Sequence, residues 1–191
     1  MDQSERRSYL EQVLIGGLEK RKVVIVDYDP GWVARFEVES DRVRRALGAA
    51  ALRVEHIGST AVPGLAAKPI IDLVVTVADM ENEDLVVPGL ESAGYELRVR
   101  EPGHLMFRTV ERDVHVHVWA DSDREVSRVL RFRDRLRESP ADLAAYERLK
   151  RQLATREWAD GNEYADAKGP LIEAILAKVG YESGRGSTEL T

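Results

Sequence analysis

The sequence has no cysteine, no long apolar run and no excess of positive charge. Without cysteine there is no disulfide, no thiolate nucleophile and no zinc site of the cysteine type. Without an apolar run of about 20 residues, no segment is suited to span a bilayer. The charges scattered over residues 1–22 leave no signal-peptide core. We therefore expect a cytoplasmic protein with no membrane partner.

The charge balance is acidic, with 34 Asp and Glu against 28 Lys and Arg, which gives a formal net charge of −6 at pH 7. A general nucleic-acid binder needs a basic surface that displaces counterions, so we do not expect nucleic acid as a partner. A local basic pocket for a small anionic ligand is compatible with this balance. The length of 191 residues suits one domain with a filled core.

Apolar periodicity predicts strands in the first two thirds of the chain and helices towards its end. The predicted strands are residues 22–26, 52–57, 70–77, 95–100, 105–110 and 114–118. The predicted helices are residues 4–20, 30–47, 79–93, 122–138, 140–157 and 162–179, the last with Gly169 and Pro170 as a point where it can break. This order indicates a sheet with helices packed on it.

The pair Gly58 and Ser59 follows a predicted strand, and Asp72 lies within the next one. Small residues let a phosphate approach the backbone, where N–H groups and a hydroxyl bind it. A carboxylate on the adjacent strand can then hold Mg²⁺ against that phosphate. Because an unpaired buried carboxylate is costly, Asp72 needs a partner or a metal. The alternative is a tight turn beside an aspartate bonded to backbone, and the residues alone leave both interpretations open.

His115 and His117 alternate with valines over residues 114–118. Alternation along a strand puts both imidazoles on one face, together with Trp119. Two imidazoles at this spacing can share a metal ion or flank a substrate. The alternative is a half-exposed strand whose polar face carries histidine. His56 is a third candidate, which we assign to the core.

Basic residues fall within the apolar stripes of three predicted C-terminal helices. They are Arg133 and Arg137 in 122–138, Lys150 in 140–157, and Lys168 in 162–179. In the first of these helices we expect solvated side chains on the opposite side, at Arg124, Arg128, Arg131 and Arg135. Cations directed inwards pair with carboxylates, snorkel at the edge of the stripe, or line a pocket for a polyanion. Lys68, in the loop before Asp72, is a further candidate for the phosphates of a nucleotide.

Residues 54–72, which read VEHIGSTAVPGLAAKPIID, resemble the signature of the GrpB family. Members of this family are predicted nucleotidyltransferases that are also seen fused to dephospho-coenzyme A kinases. The resemblance covers residues 23–179, and its further matching positions are residues 28–32, 114–118 and 131–137 with Tyr146, Leu149, Lys150, Tyr164 and Lys168. We accordingly expect a helical extension at 1–22, a nucleotidyltransferase domain at 23–180 and a disordered tail at 181–191.

The resemblance implies the DNA-polymerase-β-like nucleotidyltransferase fold, an α+β (α/β) mixed sheet flanked by helices, with a C-terminal helical segment. In that superfamily a Gly-Ser pair precedes a strand with two carboxylates that bind two Mg²⁺ ions. Gly58 and Ser59 match the pair, and Asp72 matches the first carboxylate. The second carboxylate position holds Val74. The strand that aligns with a third carboxylate carries His115 and His117 instead.

The function implied is transfer of a nucleotidyl group from a nucleoside triphosphate, ATP foremost, to a small-molecule acceptor. The divalent metal, Mg²⁺ or Mn²⁺, would be held by Asp72 and His117, with His115 as a further ligand or general base. The phosphates would be bound by Gly58, Ser59, Thr60, Lys68, Arg133, Arg137, Lys150 and Lys168. Because Val74 replaces a carboxylate, the alternative is a catalytically degenerate module that binds a nucleotide or a phosphorylated metabolite.

Overall fold

The computed structural model describes residues 3–20, 22–81 and 83–181. Within these ranges the helices are α1 (Gln3–Val13), α2 (Gly31–Leu47), α3 (Glu83–Ser92), α4 (Arg124–Glu138), α5 (Pro140–Ala154), α6 (Gly161–Asp166) and α7 (Gly169–Ala177). The strands are β1 (Arg53–Ile57), β2 (Ile71–Val77), β3 (Glu96–Glu101), β4 (His104–Arg108) and β5 (Val114–Ala120). None of the helices in the described part of the chain is long and apolar enough to cross a membrane.

The five strands form one mixed sheet in the order β1-β2-β5-β4-β3. Only β2 and β5 pair in parallel, and the other neighbours pair antiparallel. The register of the parallel pair sets Asp72 beside His115 and Val74 beside His117. In the antiparallel pair of β1 and β2, Ile57 stands opposite Asp72, so Gly58 follows directly at the end of β1. The predicted fold class, a mixed sheet flanked by helices with a C-terminal helical segment, is confirmed.

The two faces of the sheet have different coverings. On one face the valines of β5 join the main hydrophobic core with residues of α2 and α3, as their alternation predicts. The other face carries a smaller cluster, Ile57, Val74, Trp119 and Val126, in which α4 packs on the sheet. Helices α4, α5 and α7 then form a further core with Val62 and Leu65 of the loop after β1. Since strand residues two apart share a face, Asp72, His115 and His117 lie on this second side.

Capping residues determine where the C-terminal helices begin. The side chain of Asp123 accepts from the backbone N–H of Glu125 at the start of α4. Ser139 caps α5, with Pro140 in the first turn, where a missing N–H costs nothing. Asp160 caps α6 through the N–H groups of residues 162 and 163.

The prediction of a strand at residues 22–26 is wrong. Only Val26 forms a bridge, antiparallel to Ala67, with both N–H···O distances at 2.9 Å. The next hydrogen-bonded pair of such a ladder would need an N–H group from Pro69, which has none. The segment therefore crosses the loop without becoming part of the sheet.

The helix predicted at residues 162–179 is interrupted near Gly169 and Pro170, the point given for a possible break. The chain forms α6 and α7 separately, with Lys168 at the N-cap position of α7 and Pro170 in its first turn. Proline in a continuous helix would remove a hydrogen bond and clash with the preceding turn. Of the tail predicted at 181–191, residues 182–191 lie outside the described part of the chain.

Candidate functional site

Asp72, His115 and His117 converge at the junction of the two parallel strands. His115 Nδ1 lies 3.1 Å from Asp72 Oδ1. One ligand atom from each of the three residues lies within 4.8 Å of the others, close enough for one ion. The structure thus brings together the three residues that the sequence predicts for metal binding and catalysis. A carboxylate with two imidazoles suits a divalent transition ion such as Mn²⁺ better than Mg²⁺, which prefers an all-oxygen shell.

The environment of Asp72 favours its charged form. Burial by itself raises the pKa of this carboxyl, but the hydrogen bond from His115 and nearby positive charge, including that of Lys68, outweigh burial and lower the pKa. Because an ionised carboxylate only accepts, His115 Nδ1 donates to it.

His117 is held by two residues that the sequence interpretation missed, His104 and Glu101. His104 Nδ1 lies 2.6 Å from Glu101 Oε1, and His104 Nε2 lies 3.1 Å from His117 Nδ1. Burial is the largest cause that lowers the pKa of His117, to about 3. His117 is therefore neutral at pH 7. Because the Glu101 carboxylate accepts a hydrogen bond from His104 Nδ1, Nε2 of a neutral His104 accepts from His117 Nδ1. Nε2 of His117 is then left to bind a metal.

Gly58 is the residue that allows the loop to pass Asp72. Its φ of +69° belongs to a region that glycine adopts readily and residues with a Cβ rarely do. A Cβ at this position would collide with Oδ2 of Asp72. The loop continues into a 3-10 turn at Ser59–Ala61, whose first backbone N–H groups have no partner within the turn itself. Gly58 and Ser59 therefore stand beside the carboxylate, as the sequence predicts.

Thr60 has a structural role in the same turn. Its hydroxyl donates to the carbonyl of Ile70 at 2.9 Å and lies 3.0 Å from His56 Nε2. His56 stacks on Phe36 with ring centroids 4.6 Å apart, and burial lowers its pKa to about 4. This bears out the assignment of His56 to the core. Because the single proton of Thr60 is already donated, only its backbone can donate to a phosphate.

A cavity of about 130 Å³ adjoins the Asp72 cluster, between the sheet and the C-terminal helices. Besides Gly58, Ser59 and Thr60, its lining contains three lysines and two tyrosines, Lys68, Lys150, Lys168, Tyr146 and Tyr164. Lys68 and Lys168 both lie over the ring of Tyr164, at 5.2 and 5.1 Å from its centroid. We name this space the lysine cavity. Its volume suits a phosphate group rather than a whole nucleotide.

Lys150 and Tyr164 are deeply buried polar groups of the lysine cavity. Lys150 is 2% exposed, donates to the carbonyl of Ala66 and lies over the ring of Tyr146. Burial, followed by the charge of Lys168, lowers the pKa of Lys150 to about 7. Tyr164 is 1% exposed, and its hydroxyl has no hydrogen-bond partner among the described residues. A buried donor without a partner is costly and indicates a place for a ligand.

Arg133 and Arg137 do not reach the lysine cavity. Arg133 bonds to Asp134, to Glu55 and to the carbonyl of His56, and Arg137 bonds to the carbonyl of Ala61. Both lie on the face of α4 that meets β1 and the following loop. Their guanidinium groups tie the helix to the backbone there, so their prediction as phosphate ligands needs correction.

The expectation that Arg128 is solvated is wrong. Arg128 is 6% exposed, lines the lysine cavity and bonds to Glu173 of α7, with Nη2 2.7 Å from Oε1. The helical wheel assumed that α4 has one covered side. In the structure α4 packs on the sheet and also contacts α7, so a second side of the helix is buried.

The sequence shows His104, but its position beside His117 follows only from the pairing of β4 with β5. His104 begins β4, and the antiparallel register pairs it with Trp119 and pairs Met106 with His117. Alternation in β5 alone cannot show which residue of the next strand lies beside a histidine. Glu101 and His104 occupy the two ends of the β3–β4 turn, which brings their side chains together.

The comparisons with known proteins agree on one family. The sequence profile of the family described as GrpB protein matches residues 22–178. A UPF0157 protein of Streptomyces coelicolor is 50% identical over 167 residues, which cover 87% of this chain and 89% of the relative. A UPF0157 protein of Halalkalibacterium halodurans is 43% identical over 174 residues, or 88% of this chain and 89% of the relative. The crystal structure of conserved protein GrpB from Enterococcus faecalis superposes with a TM-score of 0.72 at 38% identity, covering 83% of this chain and all of the other.

Proposed function

The chain belongs to the GrpB family, and on that premise we propose that it is a metal-dependent nucleotidyltransferase. It binds a nucleoside triphosphate, with ATP as the first candidate, and transfers the nucleotidyl group to a small-molecule acceptor. The observation that carries the proposal is the contact between two features. A cluster of one carboxylate and two imidazoles adjoins a cavity in which three lysines and the Tyr164 hydroxyl converge. Within the described ranges that hydroxyl has no hydrogen-bond partner.

The lysine cavity binds the terminal phosphates of the triphosphate. Lys68, Lys150 and Lys168 offset their charge, and the hydroxyl of Tyr164 donates to a phosphate oxygen. The backbone N–H groups at Ser59 and Thr60 add donors at the start of the 3-10 turn. This assignment replaces the predicted role of Arg133 and Arg137, whose guanidinium groups are bonded elsewhere.

Asp72 and His117 would hold the metal ion that serves the α-phosphate. When bound, the ion polarises the phosphate and offsets the charge that develops on it. His115 accepts the proton of the acceptor hydroxyl at Nε2, because its Nδ1 donates to Asp72. The acceptor oxygen forms the new bond to the α-phosphorus. The bond from that phosphorus to the β-phosphate oxygen breaks, and pyrophosphate leaves with the electron pair.

The test is calorimetric titration with ATP, GTP, CTP and UTP, each with Mg²⁺, with Mn²⁺ and without metal. We expect one nucleotide to bind in a metal-dependent way, with Mn²⁺ at least as effective as Mg²⁺. Asp72→Asn removes the charge without changing the size of the side chain, and it should abolish the metal dependence. Asp41→Asn, at an exposed carboxylate of α2, is the matched control and should bind as the wild type does. Equal binding by Asp72→Asn and wild type would refute the proposal.

The second candidate function is a binding module without turnover, and Val74 favours it. This residue occupies the second carboxylate position of the superfamily and is fully buried against Ile57, Trp119 and Val126. No ion can be coordinated there. Release of pyrophosphate on addition of nucleotide, metal and a mixture of hydroxylated metabolites would establish the transferase. Tight nucleotide binding with no pyrophosphate after long incubation would establish the binding module.

A further inference from the structure

A second cavity, of about 390 Å³, meets the lysine cavity at the metal-site residues. The two cavities share four lining residues, Lys68, Ile70, His115 and His117. Transfer between two substrates requires that their reacting atoms meet at one point, which is what two cavities joined at the cluster provide. If the lysine cavity takes the triphosphate, the second cavity is open to the other substrate.

The second cavity has its own set of basic side chains. Arg98 of β3, Arg108 of β4 and Arg112 of the turn before β5 all line it. Burial lowers the pKa of Arg98; the charge of Glu19 opposes this shift, and the charges of Arg108 and Arg112 add to it. The carboxylates of the lining other than Glu19 have partners elsewhere. Asp113 pairs with Arg35, and Asp160 caps α6. The second cavity is therefore electropositive, and we name it the arginine cavity.

One carboxylate of the chain itself occupies the centre of this arginine group. The two Nη atoms of Arg108 lie 3.0 Å from the two carboxylate oxygens of Glu19, and Arg112 Nη1 lies 3.0 Å from Glu19 Oε2. This is the two-pronged geometry by which guanidinium groups recognise carboxylates and phosphates. Arg98 donates instead to the carbonyls of Ile15 and Gly17. These bonds hold in place the segment that carries Glu19.

Two further features concern the arginines that bind Glu19. The buried Nε atom of Arg108 has no hydrogen-bond partner among the described residues. Arg112 has a φ of +60°, an unfavourable value for a residue with a side chain. Strain of this kind persists where the surrounding structure imposes it, and here it holds a guanidinium group at the carboxylate.

We infer that the arginine cavity binds the acceptor, and that the acceptor is a small hydroxylated metabolite with a carboxylate or phosphate group. That anionic group takes the position of the Glu19 carboxylate on Arg108 and Arg112, and Glu19 acts as a resident competitor that the acceptor displaces. The acceptor hydroxyl then faces His115, which lines both cavities. This inference rests on the proposed function for the identity of the reaction, but its binding site can be tested separately.

The experiment measures binding of two probes, tartrate and inorganic phosphate, by calorimetry without nucleotide or metal. Glu19→Gln removes the competing charge, and because Glu19 is partly exposed the variant is expected to fold. We expect it to bind at least one probe about tenfold more tightly than the wild type. In the Glu19→Gln background, Arg108→Gln should abolish the gain, whereas Lys168→Met in the lysine cavity should preserve it.

Three results would overturn the inference. One is equal probe affinity in Glu19→Gln and wild type. Another is loss of the gain with Lys168→Met rather than Arg108→Gln, which would place the anion in the lysine cavity. The third concerns the NMR spectrum of the wild-type protein. We expect saturating probe to shift the signal of the Arg108 Nε–H group. A shift limited to lysine signals would contradict the assignment.

The failure of this inference is distinguishable from failure of the proposed function. Arg108→Gln should bind nucleotide in the presence of Mn²⁺ within about twofold of the wild type, because Arg108 does not line the lysine cavity. If nucleotide binding is absent but Glu19→Gln still gains probe affinity through Arg108, the anion site stands and the transferase proposal falls.

Discussion

His104 Nε2 lies 3.1 Å from His117 Nδ1, and the two imidazole rings are parallel to within 4°. The indole of Trp119 stacks on His104 with ring centroids 4.3 Å apart, which fixes the plane of the pair. Glu101 lies at the other nitrogen of His104 and determines which nitrogen of each imidazole carries the proton. The atom that His117 presents to a metal ion is thus decided by a carboxylate two hydrogen bonds away.

Replacing His104 by Phe should weaken binding of Mn²⁺ by about tenfold to a hundredfold, because His117 loses the acceptor that orients it. His104→Gln keeps an acceptor oxygen at a similar reach and should restore part of the affinity. The measurement is Mn²⁺ titration followed by electron paramagnetic resonance, with thermal unfolding to show that both variants are folded. Equal affinities in His104→Phe and wild type would show that the contact does not position the ligand.

Gly58→Ala should abolish metal-dependent nucleotide binding. The added methyl group would collide with Oδ2 of Asp72 and displace the carboxylate. Gly64→Ala is the matched control, since its φ is also positive, at +81°, but a Cβ there meets nothing within 4 Å. Each substitution should cost roughly 1–2 kcal/mol of unfolding free energy from backbone strain. Only Gly58→Ala should lose binding, and loss in both variants would mean that strain alone is responsible.

The free energy of unfolding should rise with pH between about 7 and 10.5 because of Lys150. Burial lowers its pKa in the folded protein to about 7 from the ordinary value of 10.5. In this window the unfolded chain binds more protons, so raising the pH favours the folded state.

Lys150→Met removes this titration. The free energy of unfolding of the variant, taken relative to that of the wild type, should be highest at pH 6. This difference should fall by on the order of 4 kcal/mol as the pH approaches 10.5. Urea unfolding at a series of pH values measures the difference. Lys20→Met, at an exposed lysine, should follow the wild-type curve, and the same behaviour in Lys150→Met would contradict the prediction.

Substitutions of Lys168 in the lysine cavity and of Arg137 on the β1 side of α4 should differ in their effect on nucleotide affinity. Lys168→Met removes a nearly buried cation that lines the cavity, and it should weaken triphosphate binding by about tenfold or more. Arg137→Gln loses bonds to the carbonyl of Ala61 and should lower stability while leaving nucleotide affinity within about twofold. Fluorescence titration with a labelled nucleotide compares the two. A larger loss of affinity in Arg137→Gln would return the arginine to the phosphate site.

Local pattern in the sequence was sufficient for the elements and for part of the site. Alternation over residues 114–118 placed His115 and His117 on one face of a strand, and that prediction is confirmed by the core formed on the opposite face. The spacing of Gly58, Ser59 and Asp72 correctly predicted a small-residue loop beside a carboxylate. These features depend on residues close in sequence, whose relative positions follow from strand geometry alone.

Residues far apart in the chain decided the rest, because strand partners and helix coverings are set by packing. Whether a histidine lies beside His117 depends on the register of β4 with β5. Whether Arg128 is solvated depends on α7, which covers a side of α4 that the helical wheel leaves open. Whether Arg108 meets a carboxylate depends on a segment 89 residues earlier. The sequence by itself determined the strand faces and the Gly-Ser loop, and the tertiary structure decided the neighbours, because side-chain contacts between distant segments arise only when the sheet and the helices pack together.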